Sequence, residues 1–153
     1  MSDEKAVEKT SPKSGGNTKV KVVGIITIVA GIIMAIAGAV TWTTVGSELA
    51  SENITVSDDA AKYAGDPVDG PLTAYEEAAV IDMHAMEATG GKTYAELERE
   101  DPLRDTAMNA SFLRASLFTS VVAFGVAAFA MGLGILLVIV GLGFIWAAAP
   151  KKA

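Results

Sequence analysis

The chain has 153 residues, 51% hydrophobic and only 20% charged, with a formal net charge of −6 and no cysteine. The lack of cysteine excludes disulfides, thiolate nucleophiles and Cys-ligated metal. The apolar residues gather in two charge-free runs, Val22 to Thr43 and Ala115 to Pro150. A run of ~18 or more such residues reads as a membrane helix, because a helix satisfies its own backbone polar groups in lipid.

Residues 1–21 ("KTSPKSGGNTK" within them) are rich in Ser, Pro, Gly and Lys, and are predicted to be a disordered cytoplasmic tail. Residues 22–43 are predicted to be the first transmembrane helix. Ten of them are Val or Ile, and each favours insertion by roughly 0.3–0.6 kcal/mol. The run exceeds the ~7–15 residues of a signal-peptide core, so it reads as retained. Residues 44–110 form an acidic loop. Residues 111–149 form a long helix that includes the second transmembrane segment, and residues 150–153 are a short cytoplasmic tail.

Charge sets the orientation. Five lysines precede Val22 and two follow Pro150, whereas the loop from Thr44 to Ala110 carries fifteen acids against four bases, a net of −11. Lys and Arg concentrate on the cytoplasmic side of membrane proteins. Both termini are therefore expected in the cytoplasm and the loop outside, with one crossing by each apolar run.

The second run is too long for one crossing. Ala115 to Ala149 is 35 residues, or ~52 Å of helix against a ~30 Å hydrocarbon core. Tilt alone would need about 55°, beyond the usual range of ~0–40°. Trp42 and Trp146 lie near the ends of the two runs, and Trp favours membrane interfaces. If Trp146 marks the inner boundary, the outer one falls near Val126. Phe112, Leu113, Leu117, Phe118 and Val121 then project beyond it and need cover from the loop or from a partner.

The loop has material for that cover. Asn53 to Ser57 ("NITVS") reads as a short extended piece, and Asp66-Pro67 and Asp69-Gly70-Pro71 are turn signals. Thr73-x-x-Glu76 is a capping-box pattern that starts a helix, and Gly90-Gly91 ends it. Tyr75, Ala79, Met83 and Met86 recur along it as an apolar stripe. Thr93-x-x-Glu96 predicts a second short helix to Glu100. Asp101-Pro102 predicts an N-cap with Pro at N1, from which a helix runs into the membrane. The expected outer docking surface joins Tyr75, Met83 and Met86 to Phe112, Leu117 and Phe118.

Two constellations carry alternative functions. Glu77, His84 and Glu87 share one broad helix face, so a cluster of one His and two carboxylates is geometrically possible for metal. Against it, His84 is the only histidine, with no HExxH spacing and no Cys. The simpler reading is a solvated acidic helix, with no catalytic, metal or cofactor residue. Gly24, Gly31 and Gly38 recur every seven residues in the first run, and Gly125 with Gly132, then Gly134 with Gly141, repeat that step in the second. Small residues on one face allow close helix packing in lipid, either between the chain's own two helices or with a partner. No ionisable residue lies in either run, which disfavours a transport path.

At "ITVSDDA" (Ile54 to Ala60), "GPLTAY" (Gly70 to Tyr75), "GKTYAEL" (Gly91 to Leu97) and "SFLRASLFTSVVAFG" (Ser111 to Gly125) the chain resembles a family of small actinobacterial two-helix membrane proteins of unknown function. Its members often bear the name "aromatic ring-opening dioxygenase". The resemblance implies the two-helix architecture. It implies no catalytic residue, since extradiol ring opening takes iron held by two His and a carboxylate.

The sequence thus predicts an all-α membrane protein, a two-transmembrane helical hairpin with a mostly helical acidic extracytoplasmic loop. The expected role is an accessory or scaffold subunit of the cell membrane, without catalysis or cofactor. Its expected partners are the lipid bilayer and a larger membrane complex or further copies of itself, not nucleic acid. The alternatives are a metal-binding or enzymatic subunit centred on His84 and a small self-assembling pore.

Overall fold

The computed structural model describes residues 15–149, so the predicted tail is covered only from Gly15 onward and the segment 150–153 lies outside the described residues. Among the described residues three helices make up the regular structure: α1 (Gly15–Ser51), α2 (Pro71–Ala88) and α3 (Arg104–Ala147). α1 and α3 are both long and apolar enough to cross a membrane. The chain divides into two compact units, one of residues up to Ile33 and from Gly134 on, the other of Met34–Leu133.

α1 extends beyond the predicted apolar run at both ends, whereas α3 starts after the predicted Asp101-Pro102 cap and ends at Ala147, two residues before the predicted limit. α1 starts at Gly15 rather than Val22 and so takes in Lys19 and Lys21. Once the apolar run is helical, further residues join it without a new nucleation cost, which carries the helix through Lys21 and Lys19; the intrinsic propensity of Gly15 and Gly16 does not favour their inclusion. At the other end α1 passes Trp42 and continues to Ser51. The hydroxyls there turn inward on the helix: Thr41 donates to the Ala37 carbonyl at 3.0 Å and Thr43 to that of Ala39 at 3.2 Å. Asn53 ends this run in a left-handed conformation (φ 52°), as Asn does readily just past a helix.

In the first unit, α1 and α3 meet backbone to backbone. A Cβ built on Gly24 would lie 2.8 Å from the carbonyl oxygen of Gly141, and one on Gly31 would lie 2.6 Å from that of Gly134. No side chain fits at those distances, so only glycine permits this approach. In the second unit Gly38 plays the same part, its Cβ position 2.7 Å from the Ala127 carbonyl oxygen. The predicted seam therefore includes Gly24, Gly31, Gly38, Gly134 and Gly141. It excludes Gly125 and Gly132, where a Cβ would meet nothing within 4 Å. The reason is angular: Gly132 and Gly134 stand about 200° apart around α3 at ~100° per residue.

The second unit has its own core. Val56, Val68, Ala74 and Ala78 from the loop are buried with Leu49 of α1 and Leu117 and Phe124 of α3. The predicted extended piece exists and has a partner. Val56 N–H donates to the Asp66 carbonyl and Val68 N–H to that of Ile54, both at 2.9 Å, around a single bridge from Thr55 to Pro67. This closes residues 57–65 into a loop tied to the core at both ends.

Several predicted helix starts are corrected. α2 begins at Pro71, with Gly70 before it and Thr73 in its first turn. Pro at N1 has no N–H to leave unsatisfied, and Thr73 Oγ1 accepts from the Gly70 N–H at 3.3 Å. Glu76 is thereby freed from any capping role. The end of α2 follows the expected glycines: Gly91 N–H donates to the Met86 carbonyl at 2.7 Å and Gly90 N–H to Glu87 at 3.3 Å, with both glycines at positive φ. That is the Schellman pattern.

Thr93 to Glu100 is turn, not helix. The Thr93–Glu96 contact forms, at 2.8 Å from both the Thr93 N–H and hydroxyl, but nothing propagates from it. The Leu97 carbonyl is taken by Arg104 Nη1 at 2.7 Å, and the residue before Pro102 is biased away from helix. Asp101 caps a turn by accepting from the Leu103 N–H at 2.9 Å, and α3 starts at Arg104.

Candidate functional site

The distinctive chemistry of the second unit lies where α2 meets the 54–68 loop and α3. α2 packs through Ala74, Ala78 and Val80, with Ile81 against the same core. The predicted stripe of Tyr75, Ala79, Met83 and Met86 is not that face: Tyr75, Ala79 and Met83 are exposed and Met86 is half-buried. Large apolar residues suggested the wrong side because α2 seats itself by its alanines, whose small side chains let its backbone come close.

Of the expected docking surface, Leu117 is buried in the core and Phe118 packs against its edge. Tyr75 contributes through its rim, its ring edge-on to Phe118 with centroids 5.8 Å apart. Phe112 is 65% exposed and stands outside this contact, as does the exposed Leu113. Loop cover therefore reaches Leu117 and Phe118 and continues along α3 to Arg114 and the buried Ala107, while Phe112, on the same turn as Arg114, stays exposed.

Three side chains of α2 hold the 57–62 segment. Glu77 is buried and accepts from the Ser57 backbone N–H at 2.8 Å and from its hydroxyl at 3.2 Å. Glu76 accepts from the Lys62 N–H at 3.1 Å. His84 Nε2 lies 2.6 Å from Asp59 Oδ2, both side chains about half exposed. On the opposite side Arg114 of α3 reaches back to Asp82 of α2, Nη1 to Oδ1 at 2.7 Å. Arg114 Nε is buried without a hydrogen-bond partner, beside a cavity of about 50 Å³ that Lys92, Tyr94 and Ser111 also line. Arg104 lies over the Tyr94 ring at 4.0 Å and fixes the turn before α3.

The metal set Glu77, His84, Glu87 is not assembled: among the described residues no group of three or more potential ligands comes together. Glu77 is committed to Ser57 and His84 to Asp59. Sequence reasoning missed Asp59, Ser57 and Asp82 as partners. Each pairing spans twenty or more residues, and nothing in the local pattern signals it.

The His84–Asp59 contact has a definite pH signature. The hydrogen bond to Asp59 raises the His84 pKa above the ordinary histidine value, with smaller help from the charges of Asp59, Glu87 and Glu77. The same bond lowers the Asp59 pKa. The histidine's contribution is complete below its ordinary pKa and is lost as pH rises through the raised one. The aspartate's contribution is complete above its ordinary pKa and is lost as pH falls through the lowered one. The clasp is thus closed across mildly acidic to neutral pH and opens on the alkaline side first. The His84 ring protons in an NMR titration should show a midpoint above that of a free histidine, and Asp59→Asn should bring it back down. An unshifted midpoint in the unaltered protein would remove the ion pair.

No family model, no curated protein and no solved structure matches the chain.

Proposed function

We propose that the protein is an integral membrane accessory or scaffold subunit: two antiparallel spans with both termini in the cytoplasm, presenting the folded loop outside. The observation that carries this reading is the compact loop core, in which Val56 and Val68 are buried against Leu117 and Phe124. A loop ordered in this way is a rigid recognition surface rather than a mere connection. The broad apolar exposure of α1 and α3 supports the membrane setting. Ile26, Ile33, Val122, Phe129 and Ile139 all face outward, at a cost in water of ~25 cal/mol per Å² that lipid would remove. The charge asymmetry supports the orientation, with Lys19 and Lys21 at one end of α1 and fifteen acids in the loop.

Cysteines introduced at Asn17 and at Lys92 test the topology. In intact cells an impermeant thiol reagent should label the Lys92 position and leave the Asn17 position unlabelled until the cells are opened. Labelling of Asn17 in intact cells would refute the orientation. The scaffold role is tested by purification in mild detergent. A partner held by the unaltered chain should be lost from a Phe112→Asp, Leu113→Asp variant that keeps its loop protected from protease. Retention of every partner by that variant would exclude this face as the contact.

A further inference from the structure

The first unit gathers positive charge. Of the chain's twelve lysines and arginines, seven precede Val22 or follow Pro150, against three acids in the same segments. The structure brings the basic end of α1 to the end of α3. The Cβ position of Gly24 lies 2.8 Å from the Gly141 carbonyl oxygen and 3.0 Å from Ile145 Cγ1. Lys21 is three residues before Gly24, or ~4.5 Å along α1, and Trp146 directly follows Ile145. The lysines of α1 and the tryptophan of α3 therefore stand at one level. All are exposed, Trp146 by 83%. Lys151 and Lys152 follow within five residues of Ala147, where α3 ends.

Depth decides what these charges meet. Lys21 is the residue at which the charge-free apolar run of α1 stops, and Trp favours the boundary between lipid and water. Lys19 and Lys21 thus fall at the depth of the headgroups. Among the described residues neither takes part in an ion pair. They stand ~200° apart around α1, so they face different lipids rather than closing one pocket. A lysine ammonium is a compact point charge without the fixed fork of arginine. Such a group selects charge, not headgroup shape.

We propose that this end of the α1–α3 pair binds anionic phospholipids of the cytoplasmic leaflet, in preference to zwitterionic ones. Charge complementarity carries the inference, since lysines beside a membrane helix attract anionic lipid. Trp146 adds an exposed indole N–H, a donor that a phosphate oxygen can accept. The occupant is a bilayer lipid rather than a soluble anion because the lysines adjoin apolar surface. Val22, Val23, Ile25 and Ile26 are all exposed directly below them, and acyl chains would cover these. The proposal rests on the membrane reading above and names the lipid class that its cytoplasmic end selects.

The test is native mass spectrometry of the full chain, released at low ionic strength from bilayers of phosphatidylglycerol, phosphatidylserine and phosphatidylcholine in equal parts. The unaltered chain should retain the two anionic lipids alike, both over phosphatidylcholine. The Lys19→Gln, Lys21→Gln variant should lose about fivefold of that preference for each charge removed, the equivalent of ~1 kcal/mol per lysine. Lys19→Arg, Lys21→Arg should keep it. Lys62→Gln, Lys92→Gln takes the same charge from the loop and should keep it too. Three results would overturn the proposal and leave the membrane reading standing: equal retention of all three lipids, a preference that survives Lys19→Gln, Lys21→Gln, or one that the loop variant loses as far. Retention of only one of the two anionic lipids would also overturn it, since charge does not separate them. A chain that fails to enter the bilayers at all would overturn both.

Discussion

Gly31→Val is expected to disrupt the pairing of α1 with α3, while Gly132→Val leaves it intact. The Cβ position at Gly31 lies 2.6 Å from the Gly134 carbonyl oxygen and 2.9 Å from the Val138 nitrogen. Both obstacles are backbone, which cannot rotate away as a side chain can, so the helices must separate. Overpacking of this kind costs ~1–3 kcal/mol where neighbours can yield, and the backbone contacts put Gly31 at or above the upper end. Gly132 has open space at its Cβ position, so the same change there carries only the helix propensity of valine. Unfolding of each variant by denaturing detergent, followed by circular dichroism or by a distance label across the helix pair, separates the two. Equal stability of the Gly31 and Gly132 variants would show that the helices do not approach each other this closely.

Phe124→Ala is expected to release the loop. Phe124 is 1% exposed and meets the ring of Trp42 edge-on at 4.8 Å. It packs in the core with Val56, Val68, Ala74 and Ala78, all contributed by the loop. Truncation of a buried Phe costs ~3–5 kcal/mol through lost contacts and the cavity left behind. The loop is exposed to that loss because its other ties are few. The His84–Asp59 and Arg114–Asp82 pairs are both substantially exposed, and exposed ion pairs contribute little. Trypsin should then cut at Lys62, Lys92 and Arg99 much faster than in the unaltered chain. Phe129→Ala is the control, since Phe129 is 68% exposed and its removal leaves no cavity. If Phe124→Ala leaves the cleavage pattern unchanged, the Glu77–Ser57 bonds hold the loop and the apolar core does not.

Much of the fold is legible in the sequence because its cause is local. The two apolar runs form helices long and apolar enough to cross a membrane, and their length and composition are read directly from the residues. Gly90-Gly91 ends α2 because glycine alone takes the two left-handed positions without strain. The heptad step of Gly24, Gly31 and Gly38 marks one face of one helix, and that face is the one used. The Thr93–Glu96 contact was also legible, but its consequence was not. A capping pair starts a helix only if the residues after it can propagate one, and here Pro102 lacks the N–H that the Glu98 carbonyl would need and biases Asp101 away from helix.

What only the tertiary structure decided depends on partners distant in the chain. The sequence offers Gly125, Gly132, Gly134 and Gly141 on equal terms, and the position of α1 selects the last two. It offers Tyr75, Met83 and Met86 as the apolar face of α2, whereas the closeness of α2 to its neighbours selects the alanines. It places Glu77, His84 and Glu87 within reach of one another along a helix, but the fold returns residues 57–59 to that same face, and Ser57 and Asp59 engage Glu77 and His84 first. Composition fixes which segments become helices, because a helix answers to its own residues. Which side of a helix is buried, and which acid meets which base, is set by chain segments twenty or more residues away, and local pattern carries no record of them.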